Sequence, residues 1–229
     1  MINDLVFDLD DTLVKTNQHY MNTEKYLIDL YKEYPQISEK EIRELIKEED
    51  MKLIKSHKYG YHWFKEGLTE VYKRLKVKYG IEINNFSENF TKKVEDEFLQ
   101  TPELWDNAQK ILTHFYELKK NLYIMTLGEN QVQTPKIEKA GIKHFFKKIY
   151  IVSKKDDKDY SDIIADSGIN PRESYFIGNS IYSDMIPAKR AGFNCILFDK
   201  FTTFYNMKIE LPDNILIIKD LIELIDLIK

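Results

Sequence analysis

Phe7-Asp8-Leu9-Asp10-Asp11-Thr12-Leu13 continues an apolar run that begins at Leu5-Val6. Such a run reads as a buried strand, and its carboxyl end is where open α/β sheets bind their ligands. Side chains alternate along a strand, so Asp8 and Asp10 face one way while Leu9 faces the core. Two carboxylates that close repel each other unless a cation or a shared proton relieves them. A hard, oxygen-seeking divalent ion such as Mg²⁺ is the natural counter-charge. The plainer alternative is a polar strand exit in which Asp10-Asp11-Thr12 caps a helix.

Later in the chain, short β-rich runs recur: Leu122 to Leu127, Ile149 to Val152, Tyr175 to Ile177, Cys195 to Phe198 and Ile215 to Ile218. Amphipathic helical patterns lie between and around them, over about 106–120, 130–140, 158–168, 183–191 and 219–228. The connections are too long for hairpins and suit crossover helices, which predicts an α/β fold with a parallel sheet. The first strand, over 4–9, belongs to the same sheet. The intervening residues are then an insertion, dense in charge and helix formers, with a Ser38 to Glu41 capping signal and little strand alternation. They predict a helical bundle. Its aromatic stretch Tyr59-Gly60-Tyr61-His62-Trp63-Phe64 either packs the bundle or lines a pocket.

The chain has 229 residues, enough for one large domain or a core with a smaller companion. Its formal net charge of -4 supplies no basic field for nucleic acid, and no nucleic-acid partner is expected. No signal peptide and no 18-residue apolar run is present, so no membrane association and a cytoplasmic location are expected. The single cysteine, Cys195, reads as a small core residue of a strand. The five histidines, His19, His57, His62, His114 and His144, show no metal-ligand spacing.

Three later strand ends carry polar groups where a site at the carboxyl edge of the sheet would need them. The first is Thr126-Leu127-Gly128, with a hydroxyl and successive backbone N–H groups for an anion. The second is Lys154-Lys155, and the third is Gly178-Asn179-Ser180 with Asp184 a few residues on. Each alone is ordinary turn chemistry. In this order they resemble the four motifs of the haloacid dehalogenase superfamily, on its phosphohydrolase side. The resemblance covers about residues 1–14 and 102–200. It implies a Rossmann-like parallel sheet with helices on both faces over 1–14 and 101–229, and an inserted α-helical cap over 15–100.

The resemblance also implies a function, that of a Mg²⁺-dependent phosphatase acting on a small phosphorylated metabolite. Asp8 would be the nucleophile that forms an aspartyl-phosphate, and Asp10 the general acid and base. Thr126, Leu127, Gly128 and a motif lysine would bind the phosphoryl oxygens. Lys155 is preferred over its rival Lys154, because Lys155-Asp156 followed by Tyr160 matches a family branch with a similar T-x-G-[DE] turn and a Gln- and Lys-bearing helix after it, here Gln131 to Lys139. The metal would be held by Asp8, Asp10 and Asp184, with Asn179 standing where the family commonly has an aspartate. Dehalogenase members lack an acid at the Asp10 position, because displacement at carbon leaves no alkoxide to protonate. A catalytically silent binding domain and a phosphoryl-transfer mutase stay open as alternatives.

Overall fold

A computed structural model describes residues 3–56, 60–200 and 212–228; His57 and Tyr59 lie outside them. The chain divides into two compact units, one formed by residues 1–15 with 101–229 and the other by 16–100.

The first unit is built on six parallel strands, β1 (Asp4–Phe7), β2 (Asn121–Leu127), β3 (Lys148–Val152), β4 (Ser174–Gly178), β5 (Asn194–Phe198) and β6 (Ile215–Ile218), in the order β3-β2-β1-β4-β5-β6. The fold is Rossmann-like α/β. Strand alternation assigns the faces. Leu5 and Phe7 of β1, Leu122 and Ile124 of β2, and Ile196 and Phe198 of β5 pack with α5 (Ala108–Glu117), Ile137 of α6 (Asn130–Lys139) and Leu224 of α9 (Leu224–Leu227). Val6, Tyr123, Met125, Phe176, Cys195 and Leu197 point the other way, onto α7 (Asp157–Ser167) and α8 (Ile186–Arg190). Cys195 is buried in this second layer, and burial pushes its thiol up to about 12. That suits a packing residue and not a nucleophile.

Helices cover both faces because each strand carries apolar residues on both sides, as parallel strands must. The order runs leftward from β1 through β2 to β3 and rightward through β4, so the carboxyl ends of β1 and β4 flank the point where the sheet reverses direction. Crevices at such points are where open α/β sheets take ligands. The chain leaves and re-enters this unit side by side: Val14 bridges Leu104, and Trp105 N–H donates to Leu13 O at 2.9 Å.

The second unit holds α1 (Asn17–Asp29), α2 (Glu39–Lys55), α3 (Tyr61–Tyr79) and α4 (Phe86–Phe98) around its own core of Leu27, Ile42, Ile46, Leu68, Val71 and Phe90. Ser38 Oγ accepts from Glu41 N–H at 3.2 Å, as the capping signal predicts, while the Glu41 carboxylate pairs with Lys78 and Tyr79. In the aromatic stretch Phe64 is core and Tyr61 stacks on Phe98 at 5.3 Å, which is packing. Among the described residues no helix is long and apolar enough to cross a membrane.

Two acids give this unit a pH dependence. Burial pushes Glu24 up to about 7, with the Asp50 charge adding to the rise and Arg43 opposing it, and burial pushes Asp50 up to about 6. A carboxyl raised on folding makes the native state bind more protons than the unfolded chain. Its stability contribution is therefore full below the ordinary values of 4.5 and 3.8 and is lost as pH rises through about 6 to 7. Thermal unfolding is expected to show the melting temperature falling between pH 5 and pH 8. Glu24→Gln should flatten that fall; an unchanged slope in the variant would assign the dependence elsewhere.

Candidate active site

Asp8 directly follows β1, and its amide extends the β1–β4 pairing by donating to Ile177 O at 2.8 Å. The chain then turns sharply. Leu9 O accepts from Leu13 and Val14, and Asp11 takes the left-handed backbone at φ 56°, so Leu9 and Leu13 drop into the core while Asp8, Asp10 and Thr12 stay at the sheet edge. Thr12 is fully buried and donates its hydroxyl to Asp8 Oδ2 at 3.0 Å, with Asn179 Oδ1 at 3.4 Å beyond it.

Lys155 arrives from the end of β3. It is 3% exposed, and its Nζ donates to Asp8 Oδ1 at 2.5 Å and to Asp184 Oδ1 at 2.6 Å. Lys154 is exposed. What separates the two neighbours is local. Asp156 caps α7, its carboxylate accepting from the Lys158 and Asp159 amides while Asp159 accepts from the Asp156 amide. That cap fixes the helix start, and Lys155 before it adopts φ 56°, a left-handed conformation a non-glycine residue holds only where its surroundings impose it.

Asp184 is 1% exposed and comes from a single π-helical turn, Ile181–Met185, a geometry that is common at functional sites. Ser180 N–H donates to Asp184 Oδ2 at 2.9 Å, and the buried Tyr160 hydroxyl donates to the Ser183 and Asp184 carbonyls, anchoring the turn to α7. The Asp184 carboxylate lies against Gly178. A Cβ there would fall 2.5 Å from Asp184 Oδ2, so only glycine fits. Gly178→Ala is expected to lower stability by about 1–3 kcal/mol through that overlap. Thermal unfolding of the variant checks it, and a wild-type melting temperature would contradict it.

Burial raises the Asp8 carboxyl above the ordinary carboxylate range even with Lys155 beside it, and the nearby Asp184 and Asp10 charges add to the rise. Burial acts against the Lys155 charge as well, but Asp184 and Asp8 outweigh it and the ammonium is held above its usual value. Two buried carboxyl groups thus face one ammonium, and Asn179 adds no charge.

Asp10 turns to a different set of donors, on α6. Its Oδ2 accepts from Gln133 Nε2 at 2.6 Å and its Oδ1 from Lys136 Nζ at 2.6 Å. Gln133 Nε2 also reaches Thr126 Oγ1 at 2.9 Å and Leu127 O at 2.8 Å. Neither Gln133 nor Lys136 stands out as an individual residue in the sequence. The available signals are the resemblance to a family branch whose corresponding helix bears Gln and Lys, here Gln131 to Lys139, and the i, i+3 spacing that puts both on one helix face. The expectation for Gly128 is corrected. Its amide donates to Val152 O at 2.9 Å and so extends the sheet; it is not offered to an anion.

Asp8, Asp10, Thr126, Lys155, Asn179 and Asp184 thus gather at the carboxyl ends of β1 to β4, and Lys154 does not join them. The side chains at this edge offer carboxyl, hydroxyl and amide oxygens, the Lys155 and Lys136 ammonium groups and the Gln133 amide nitrogen. Among the described residues no group of three or more His, Cys, Asp or Glu forms a metal cage.

The sequence matches the model of the haloacid dehalogenase-like hydrolases over residues 5–198. The chain belongs to that family. Several solved structures share the fold of this haloacid dehalogenase-like hydrolase. A family hydrolase from Xanthomonas campestris is 18% identical, with 96% of this chain and 87% of that one covered, at a TM-score of 0.77. The putative HAD-hydrolase YfnB from Bacillus subtilis, bound to magnesium, is 18% identical with 99% and 98% covered, at 0.66. The L-2-haloacid dehalogenase from Xanthobacter autotrophicus, with chloropropionic acid covalently bound, is 17% identical with 86% and 77% covered, at 0.59. At these identities the likeness is one of fold. Among curated proteins none matches the sequence.

Proposed function

We propose that this haloacid dehalogenase-like hydrolase is a Mg²⁺-dependent phosphatase that hydrolyses a small phosphorylated metabolite through an aspartyl-phosphate on Asp8. The observation that supports this reading is the second carboxyl. Asp10 stands two residues beyond Asp8, at the same carboxyl edge of the sheet. Displacement of halide from carbon leaves no oxygen to protonate, whereas cleavage of a phosphate ester does.

In this reading an Asp8 oxygen attacks phosphorus as the ester P–O bond breaks, and Asp10 gives its proton to the leaving alkoxide. Asp10 then takes a proton from water as the water oxygen attacks phosphorus, breaking the bond to Asp8 and freeing phosphate. Thr126 and Lys155 hold the transferring oxygens, where negative charge is concentrated. Mg²⁺ fits the donor set: two carboxylates, Asp8 and Asp184, the Asp10 backbone carbonyl and Asn179 Oδ1 are hard oxygens, and the ion ordinarily needs only one or two carboxylates besides water and phosphate oxygens. When bound it neutralises the repulsion between Asp8 and the phosphate. The helical unit over 16–100 is the part of the chain we assign to substrate selection. Net charge -4 and a buried lone thiol fit a cytoplasmic small-molecule enzyme with no nucleic-acid or membrane partner.

The test is a panel of phosphorylated metabolites and p-nitrophenyl phosphate, assayed with Mg²⁺ and with excess chelator, alongside 2-chloropropionate. Phosphate release that chelation suppresses is expected. Chloride release without phosphate release would make the protein a dehalogenase, phosphoryl transfer without free phosphate a mutase, and no turnover a binding domain.

A further inference from the structure

We infer that Gln133 and Lys136 are positioning residues that fix the Asp10 carboxylate and aim the Thr126 hydroxyl proton, an assignment that rests on the reading of Asp10 as acid and base in ester hydrolysis. The donor inventory carries the argument. A glutamine amide nitrogen has two hydrogens and no lone pair to offer, so the three oxygens 2.6 to 2.9 Å from Gln133 Nε2, namely Asp10 Oδ2, Leu127 O and Thr126 Oγ1, share its two hydrogens and none of them can donate to it. Thr126 Oγ1 as acceptor leaves its own hydrogen to point elsewhere. That hydrogen is free to donate to a bound anion.

Lys136 Nζ takes the other Asp10 oxygen at 2.6 Å. With a separate donor on each oxygen, rotation of the carboxylate breaks both bonds, so its plane is fixed although the side chain is 29% exposed. Gly128 makes the approach of Gln133 feasible. A Cβ at Gly128 would sit 3.0 Å from Gln133 Cγ and 3.1 Å from Nε2, and the backbone there has φ 147°. Gln133 itself is 2% exposed, and its Oε1 has no partner. The amide is buried with one end unsatisfied while the other serves three groups of the site. A residue kept for packing alone would be better apolar.

The experiment compares Lys136→Met, Lys136→Arg, Gln133→Leu, Asp10→Asn and the double variant Asp10→Asn/Lys136→Met on p-nitrophenyl phosphate and on the best alkyl phosphate of the panel. A positioning role for Lys136 predicts a kcat loss of roughly 10- to 100-fold on the alkyl phosphate, where the leaving group needs its proton, and under about threefold on the aryl phosphate. KM should change by less than about twofold, Lys136→Arg should recover most of the loss, and the double variant should be no slower than Asp10→Asn alone. Gln133→Leu should slow both substrates, because Thr126 loses its orientation along with Asp10. Multiplying losses in the double variant, equal losses on the two esters, or a rise in KM at constant kcat would overturn the inference. Should the wild type release no phosphate from any ester, the phosphatase reading fails by itself. The clamp is then decided by thermal unfolding of the same double-variant cycle: non-additive shifts for Asp10 and Lys136 uphold it and additive shifts remove it.

Discussion

Asp8→Asn is expected to abolish phosphate release, with a loss of at least about a thousandfold, in a protein that still folds. The replacement keeps the shape of the side chain and removes the anionic oxygen that attacks phosphorus. Folding survives because burial already works against the Asp8 charge, and Lys155 keeps its other partner, Asp184, at 2.6 Å. The measurement is steady-state phosphate release together with a thermal melt. Near-normal release from pure, folded variant would remove Asp8 as nucleophile and with it the covalent mechanism.

Lys155→Met is the second large effect. The ammonium is the shared partner of Asp8 and Asp184, both buried, and losing it leaves two carboxylates facing each other without a counter-charge. Removing one partner from a buried ion pair costs about 3–5 kcal/mol, against a total stability of about 5–15 kcal/mol for an ordinary domain, so the variant is expected to be weakened but folded. Its maximal rate should fall by on the order of a hundredfold or more, because the lost charge acts on the transferring oxygens. Lys154→Met, one residue away and exposed, should change stability by no more than about 0.5 kcal/mol and leave turnover intact. A large loss at Lys154 with Lys155 unaffected would move the phosphate-binding cation to the neighbouring residue.

The strands were legible because their signal is local. Runs such as Leu122 to Leu127 and Cys195 to Phe198 are short, apolar and bounded by helical periodicity, and each appears as a strand within a residue of its predicted start. The carboxyl ends of those strands pointed to Asp8, Asp10 and Thr126 for the same reason, since an acid or hydroxyl close after an apolar run stands out, whereas Asp184, six residues past β4, was legible through the resemblance of the Gly178 to Asp184 stretch to a family motif. Even the choice between Lys154 and Lys155 has a local physical basis, the Asp156 cap that fixes where α7 begins.

What the sequence left open is which of these groups meet. Periodicity does not order strands, and only the β3-β2-β1-β4-β5-β6 arrangement brings Lys155 to Asp8 across 147 positions and Lys136 to Asp10 across 126. The Gly128 amide could be read as an anion donor until register put it opposite Val152 O. The Gln- and Lys-bearing helix was legible as a resemblance, but what Gln133 does there was not until the ends of β1 and β2 delivered three acceptors to one nitrogen. Local sequence thus determined the strands, the helices and the chemical groups at their ends. The tertiary structure decided the pairings, because a hydrogen bond or ion pair depends on a few ångströms between side chains that the chain itself keeps a hundred residues apart.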